Sequence, residues 1–195
     1  LGATNSGPRI GSVVISEVMY NPAPDLSITY DPQRLEFVEL YNPTAVMFDL
    51  SGWEVDGIGY AFAQGTTIGP GEFLVLVPFN PVEDAFRIAA FNVAYGVDIG
   101  ANLSSYLGPY PGRLNNGGES LTLRRAAGDP TVGNPSTFPL SIEDQIIFDD
   151  AAPWPVSADG MGVSLQRTAV DLWGNDPGSW TDGVPTPGRF GPAVT

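Results

Sequence analysis

The chain has 195 residues, with 22 Asp and Glu against eight Lys and Arg, and its formal net charge of −14 excludes partners held through a phosphate backbone. It contains no cysteine and no histidine and all eight bases are arginine, which excludes disulfides, thiolate metal sites, histidine-dependent catalysis and lysine Schiff bases. An apolar share of 43% with 24 glycines and 19 prolines describes a folded, turn-rich chain, long enough for one domain with a sizeable core.

Residues 1–11 are small and polar and read as a linker or loose N-terminal arm, with one domain expected over 12–190 and a tail at 191–195. No signal-like segment opens the chain, so it is expected to be a piece of a longer protein with any export signal already removed. No apolar run reaches the length of about 18 residues that a membrane span needs. Val13 to Tyr20 reads as the first strand. Asn21-Pro22 stops it, because proline cannot donate to a sheet ladder and biases its predecessor away from helix. The same aromatic-Asn-Pro stop recurs at Tyr41-Asn42-Pro43 and Phe79-Asn80-Pro81, as punctuation and not as a repeat.

Residues 23–34 read as a polar loop, Glu36 to Tyr41 as a second strand dense in aromatic and aliphatic side chains, and Ser51 to Val55 as a third. Asp56-Gly57 turns the chain into a short strand around Tyr60 to Phe62. Gly69-Pro70-Gly71 leads into Glu72 to Val77, apolar enough to be buried. A short helix is expected at about 81–91, with Asn80 as its cap, Pro81 in its first turn and Glu83 at the capping-box position. Phe86, Ala89, Ala90 and Val93 supply its apolar spacing. Residues 96–112 and 127–139 read as loops, Glu119 to Arg124, Ile142 to Phe148 and Val163 to Arg167 as strands, and 171–195 mostly as turns. Short strands between turn signals indicate an all-β sandwich.

These segments resemble the lamin-tail domain, an immunoglobulin-like β-sandwich of nuclear lamins and of many exported bacterial proteins. Val14 to Pro22 is similar to the family's opening strand, Glu36 to Pro43 to its second, and Leu50-Ser51-Gly52-Trp53 to the signature that follows. Thr67 to Phe73 resembles the turn into its central strand, and Leu114 to Glu119 its Asn-x-Gly-Glu turn. Asp149-Asp150, Pro153-Trp154-Pro155, Asp159-Gly160, Gly162 to Arg167, Ser179-Trp180 and Thr186-Pro187-Gly188 are similar to the tail of the bacterial branch. The resemblance implies an immunoglobulin-like sandwich with one short helix and a turn-rich C-terminal extension. It also implies a non-catalytic module of an exported protein, placed outside the cell or in the envelope. The lamin members contact chromatin, and the acidity here departs from that.

Glu17 and Glu39 are the residues most out of place. Strand alternation sets Glu17 on a face with Ile15 and Met19, and Glu39 on a face with Phe37 and Tyr41. A buried carboxylate needs a partner. Three are open: a salt bridge to Arg167 or Arg124 or hydrogen bonds from the backbone, a cation shared by the two, or a retained proton available for acid–base work. Asp149, Asp150, Asp159, Asp171, Asp176 and Asp182, with Asn175, form a second acidic group of the kind calcium takes as ligands. None follows the EF-hand spacing, and Asp-Gly and Asn-Asp-Pro also make ordinary turns. Tyr106, Tyr110, Trp154, Trp173 and Trp180 are expected in loops, as exposed rings for a sugar or a partner or as caps on the core beside prolines. Serine and threonine nucleophiles have no histidine or lysine base, and no spacing among the 22 acids selects a glycosidase pair.

The expected function is therefore a non-catalytic interaction module that binds other domains of its parent, or a surface protein or glycan. A calcium-dependent adhesion or glycan-binding module and a carboxylate hydrolase are the rivals. No cofactor is required, and calcium is the one candidate.

Overall fold

A computed structural model describes residues 8–24, 32–128 and 138–190. Most of the expected N-terminal arm, the middle of the loops at 23–34 and 127–139, and the tail at 191–195 lie outside the described residues. In chain order the elements are β1 (Val14–Met19), β2 (Phe37–Tyr41), β3 (Phe48–Asp49), β4 (Glu54–Asp56), β5 (Tyr60–Ala61), β6 (Thr67–Ile68) and β7 (Phe73–Leu76). Then come α1 (Ala85–Tyr95), β8 (Tyr106–Leu107), β9 (Glu119–Ala126), β10 (Leu140–Phe148), β11 (Ser164–Arg167) and β12 (Trp180–Gly183). They form a six-stranded sheet in the order β12-β11-β1-β2-β7-β8, a four-stranded sheet β10-β9-β4-β5, and the small pair β3-β6.

The fold is an immunoglobulin-like β-sandwich. Ile15, Val18, Val38, Leu40 and Leu165 of the larger sheet meet Val55, Leu121, Leu123, Ile146 and Phe148 of the smaller one. The other face of the larger sheet is also buried. There Met19, Phe37, Val75 and Val77 pack with Phe79 against Ala90, Phe91 and Tyr95 of α1. Burial on both faces explains why β1 reads as a nearly continuous apolar run, interrupted only by Ser16 and Glu17.

Each aromatic-Asn-Pro stop is built through its asparagine. Asn42 Nδ2 donates to the carbonyls of Val46 (2.7 Å) and Gly69 (3.0 Å) while its Oδ1 accepts from Thr44 N (3.0 Å). Asn80 Oδ1 accepts from the N–H groups of Val82 (2.9 Å) and Glu83 (3.2 Å), so it caps a separate turn and not the helix. The helix starts later, with Asp84 as its cap, accepting from Arg87 N at 3.1 Å. This shift corrects the expected buried stripe. Phe86 and Val93 are 62% and 80% exposed, whereas Phe91 packs edge-on to Phe37, Phe79 and Tyr106. The large rings at 91 and 95, one turn apart, decide which face docks.

Strands β3, β6, β8 and β12 fall where turns or loops were expected. β3, β6 and β8 are only two residues each and carry little periodic signal, and β12 holds Thr-Asp-Gly after its tryptophan.

Candidate functional site

The register between β1 and β2 slips at Ser16, so Ile15 pairs with Leu40 and Glu17 with Glu39. This bulge corrects the expectation that Ile15 and Glu17 share a face. The extra residue turns Ile15 into the sandwich core and leaves Glu17 on the α1 side with Met19. One row of that face then crosses the whole sheet. Thr181 pairs with Gln166, Gln166 with Glu17, Glu17 with Glu39, Glu39 with Val75, and Val75 with Tyr106.

Over this row lies a strap, residues 184–190, which turns at Pro187-Gly188, where Arg189 N donates to the carbonyl of Thr186 at 3.1 Å. Pro185 and Pro187 have no N–H, and the two N–H groups between and after them both land on carboxylates. Thr186 N donates to Glu17 Oε1 at 3.0 Å and its hydroxyl donates to Oε2 at 3.1 Å. Gly188 N donates to Glu39 Oε2 at 2.7 Å. At the strap's ends, Gln166 Nε2 donates to the carbonyl of Val184 (2.7 Å), and the ring of Phe190 packs on Tyr41 and Phe73 at 4.5 and 4.9 Å. Tyr106 OH donates to the carbonyl of Pro187 at 3.3 Å.

Beneath the strap, Glu17 and Glu39 are 2% and 1% exposed. Ser164 Oγ donates to Glu17 Oε1 at 2.5 Å, and Ser16 Oγ lies 2.6 Å from Glu39 Oε1. Burial raises the Glu17 pKa above the usual carboxylate range, and its hydrogen bonds from Ser164 and Thr186 only partly offset this. Burial holds Glu39 much higher still, with the charge of Glu17 adding to it. Glu39 in turn helps burial push the Tyr106 hydroxyl up to about 12. Two carboxyls paired across adjacent strands in a dry site cannot both ionise cheaply, which raises both pKa values, that of Glu39 the further. The Ser16 hydroxyl donates to Glu39 Oε1 and lies 3.3 Å from the Glu39 carbonyl, a second acceptor within its reach.

The expected arginine partners are corrected. Gln166 faces Glu17, so alternation sends its neighbour Arg167 to the opposite, inner face. There Arg167 donates to Asp144 Oδ2 (2.5 Å), to the carbonyl of Ile15 (3.1 Å) and to that of Leu172. Arg124 lies in the other sheet and pairs with Asp56 (2.5 Å) and Glu54 (3.5 Å). What holds the glutamates is backbone N–H groups, hydroxyls and, for Glu17, the side-chain amide of Gln166 at 3.4 Å. The sequence reading missed the buried Glu143 and Asp144. Glu143 is a second bulge residue whose Oε1 accepts from Ser12 N at 2.5 Å, and Asp144 also accepts from Ile15 N at 2.8 Å. The signal that singled out Glu17, an acid inside an apolar strand, was present there too. Burial raises the Asp144 pKa despite the opposing pull of Arg167.

The loop acids divide into one neighbouring trio and scattered single residues. Asp149, Asp150 and Asp159 are neighbours near Tyr20: a hydrogen bond that protonated Asp150 donates to Asp149 is the first cause of a raised Asp150 pKa, and all three charges add to burial in raising that of Tyr20. Asp159 accepts from Asn21 Nδ2 at 2.5 Å, Asn175 from Ile147 N at 3.0 Å, and Asp176 from Gly178 N at 2.9 Å. Asp171 is exposed. Among the described residues no group of three or more acids is placed to hold a metal ion. The exposed-ring reading of the aromatics is corrected for four of the five. Tyr106, Tyr110, Trp154 and Trp180 are buried, the first in β8 and the last in β12, where its indole N–H donates to the carbonyl of Gly174 at 2.7 Å. Trp173 is 42% exposed.

A family model, the lamin tail domain, matches residues 7–132, more than half of the chain. The chain belongs to the lamin tail domain family. The match ends after β9, so β10, β11, β12 and the strap lie beyond it, although they complete both sheets and supply most partners of Glu17. Among solved structures, the chain is similar to a DUF4876-family protein from Bacteroides thetaiotaomicron, at 11% identity and a TM-score of 0.53. The likeness covers 83% of this chain and 63% of that one, less than two thirds of its length, and concerns the fold. No curated protein matches the chain. Among the described residues, no helix is long and apolar enough to cross a membrane.

Proposed function

We propose that this lamin tail domain is a non-catalytic interaction module that positions a larger exported bacterial protein against a partner. The observation that carries the reading is the use made of the two most unusual side chains. Glu17 and Glu39 spend their oxygens on the strap and on neighbouring side chains, and neither lines any of three cavities among the described residues, of 570, 270 and 310 Å³. An acid–base pair has to touch substrate, and these carboxyls touch their own chain. Export follows from the bacterial branch that the chain resembles, whose members are attached to exported proteins.

The test is deletion of this domain from its full-length parent. Retention on the parent's partner is expected to be lost while turnover of a small soluble substrate by the rest of the protein is kept. Turnover by the isolated chain that disappears in both Glu17→Gln and Glu39→Gln would instead make the buried pair catalytic and end the reading.

A further inference from the structure

The strap also forms the common wall of two cavities. One, of 570 Å³, is bounded by β6, β7, the 3-10 turn before β8, and Gly188. The other, of 310 Å³, lies between the end of α1 and the strap, and both are lined by Ser105 and Gly188. Each falls in or near the range of small-ligand sites, about 300–1,000 Å³, and the two flank Ser105 and Gly188, which line both.

The lining is rich in hydrogen-bonding groups of one kind. Thr66, Thr67, Ser104 and Ser105, four hydroxyl-bearing residues, line the larger cavity, and among the described residues no side-chain hydrogen bond occupies those hydroxyls. Glu72 spends one oxygen on Gly69 N at 2.7 Å and keeps acceptor capacity on the other. Asn102 and Asp98 line the smaller cavity. Phe73, half-buried and steadied by Tyr41 and Phe190 at 4.6 and 4.9 Å, supplies an aromatic wall. The backbone contributes as well. β8 begins opposite Val75, and Val77 N donates to the carbonyl of Leu107 at 2.9 Å. By alternation the N–H and C=O of Phe73 point to the same edge of β7, beyond the end of β8 and into the cavity.

Hydroxyls, an amide and carboxylates beside one ring suit a ligand made of vicinal hydroxyls with an apolar C–H face. We infer that these cavities bind a neutral oligosaccharide. Glu72 and Asp98 outnumber the one cation of the lining, Arg189, and on a chain of net charge −14 they disfavour an anionic sugar. An extended peptide is disfavoured, because Phe73 alone offers free strand edge where β-augmentation needs several residues. Gly188 lines both cavities, and the hydrogen bond it donates to Glu39 fixes that wall from below. The inference rests on the reading of the domain as a binding module and names its ligand.

The test titrates the whole chain by calorimetry and amide NMR with cellohexaose, xylohexaose, mannohexaose and chitohexaose, with oligogalacturonate and the hexapeptide Thr-Val-Thr-Val-Thr-Val as controls. At least one neutral hexasaccharide is expected to bind, shifting the amides of Thr67, Phe73 and Ser105. Phe73→Leu should weaken it by about tenfold or more, and so should Asn102→Ala, an exposed change that stands in if Phe73→Leu unfolds. The inference is overturned by binding of none of the four sugars, by affinity unchanged in the variants, by equal binding of oligogalacturonate, or by binding of the peptide in their place. Retention of the parent on its partner is measured separately in the deletion experiment, so a failure here and a failure of the module reading give different results.

Discussion

Glu39→Gln is predicted to stabilise the domain at neutral pH, although it replaces a fully buried side chain that anchors the strap. Burial first, and the Glu17 charge second, hold the Glu39 carboxyl well above its ordinary value of 4.5. The unfolded chain releases that proton near 4.5. Above this pH the native state therefore binds a proton that the unfolded state has lost, and native stability falls as pH rises, by up to about 1.4 kcal/mol per pH unit, until the native group ionises. Glutamine donates its amide N–H to Ser16 Oγ, whose hydroxyl then turns to the backbone carbonyl of residue 39, and keeps a carbonyl to accept from Gly188 N. It thus preserves the contacts and removes the titration. Urea unfolding of both proteins across a pH series is the assay. Below 4.5 the two stabilities should agree within about 0.5 kcal/mol. Above it the variant should pull ahead at the slope just given. Parallel curves, with the variant less stable at every pH, would mean that the native group is ionised and that its charge is required.

Arg167→Met leaves Asp144 buried without its cation and should cost about 3–5 kcal/mol in urea unfolding. Adding Asp144→Asn, which still accepts from Ile15 N, should recover a large part, and a cost below about 1 kcal/mol for the single change would deny the pair its role. Trp53, Trp154 and Trp180 are buried, so Trp173→Phe should remove most of the fluorescence that acrylamide quenches; unchanged quenching would place another indole at the surface. No three described acids are arranged around a common point, so millimolar calcium should move the melting temperature by less than about 2 °C. A larger rise, lost on chelation and in Asp150→Asn, would put a cation among Asp149, Asp150 and Asp159.

Much of this fold was legible in order and type, because the strands of the sandwich carry strong apolar signals and each Asn-Pro stop sits at a strand end. What the sequence hid is local and geometric. Alternation through Ile15 and Glu17 reads as a single face, and only the bulge at Ser16 separates them. Asn80 has the chemistry of a helix cap and serves a preceding turn instead, which moves the helix and rotates its buried side. The two glutamates stood out as acids in apolar strands, yet their partners lie about 150 residues away in a turn-rich segment. Contacts so distant in sequence leave no periodic trace. Arginine is the habitual partner of a buried acid. Here the alternation of β11 turns Arg167 inward and presents Gln166 to Glu17, which a reading by residue type alone does not distinguish. Tyr106 and Trp180 sit in glycine- and proline-rich surroundings that read as loops, and pairing with β7 and β11 makes them strand residues.

The buried glutamate pair holds the strap, and burial with mutual repulsion raises both carboxyl pKa values, that of Glu39 the further. Carbon-detected titration of the Glu17 and Glu39 carboxyls in the intact chain tests it most directly. Glu39 should remain protonated far above 4.5, with Glu17 titrating first and the Gly188 amide shifting when Glu39 finally ionises. Ordinary titration of both carboxyls near 4.5, with no response at Gly188, would contradict it.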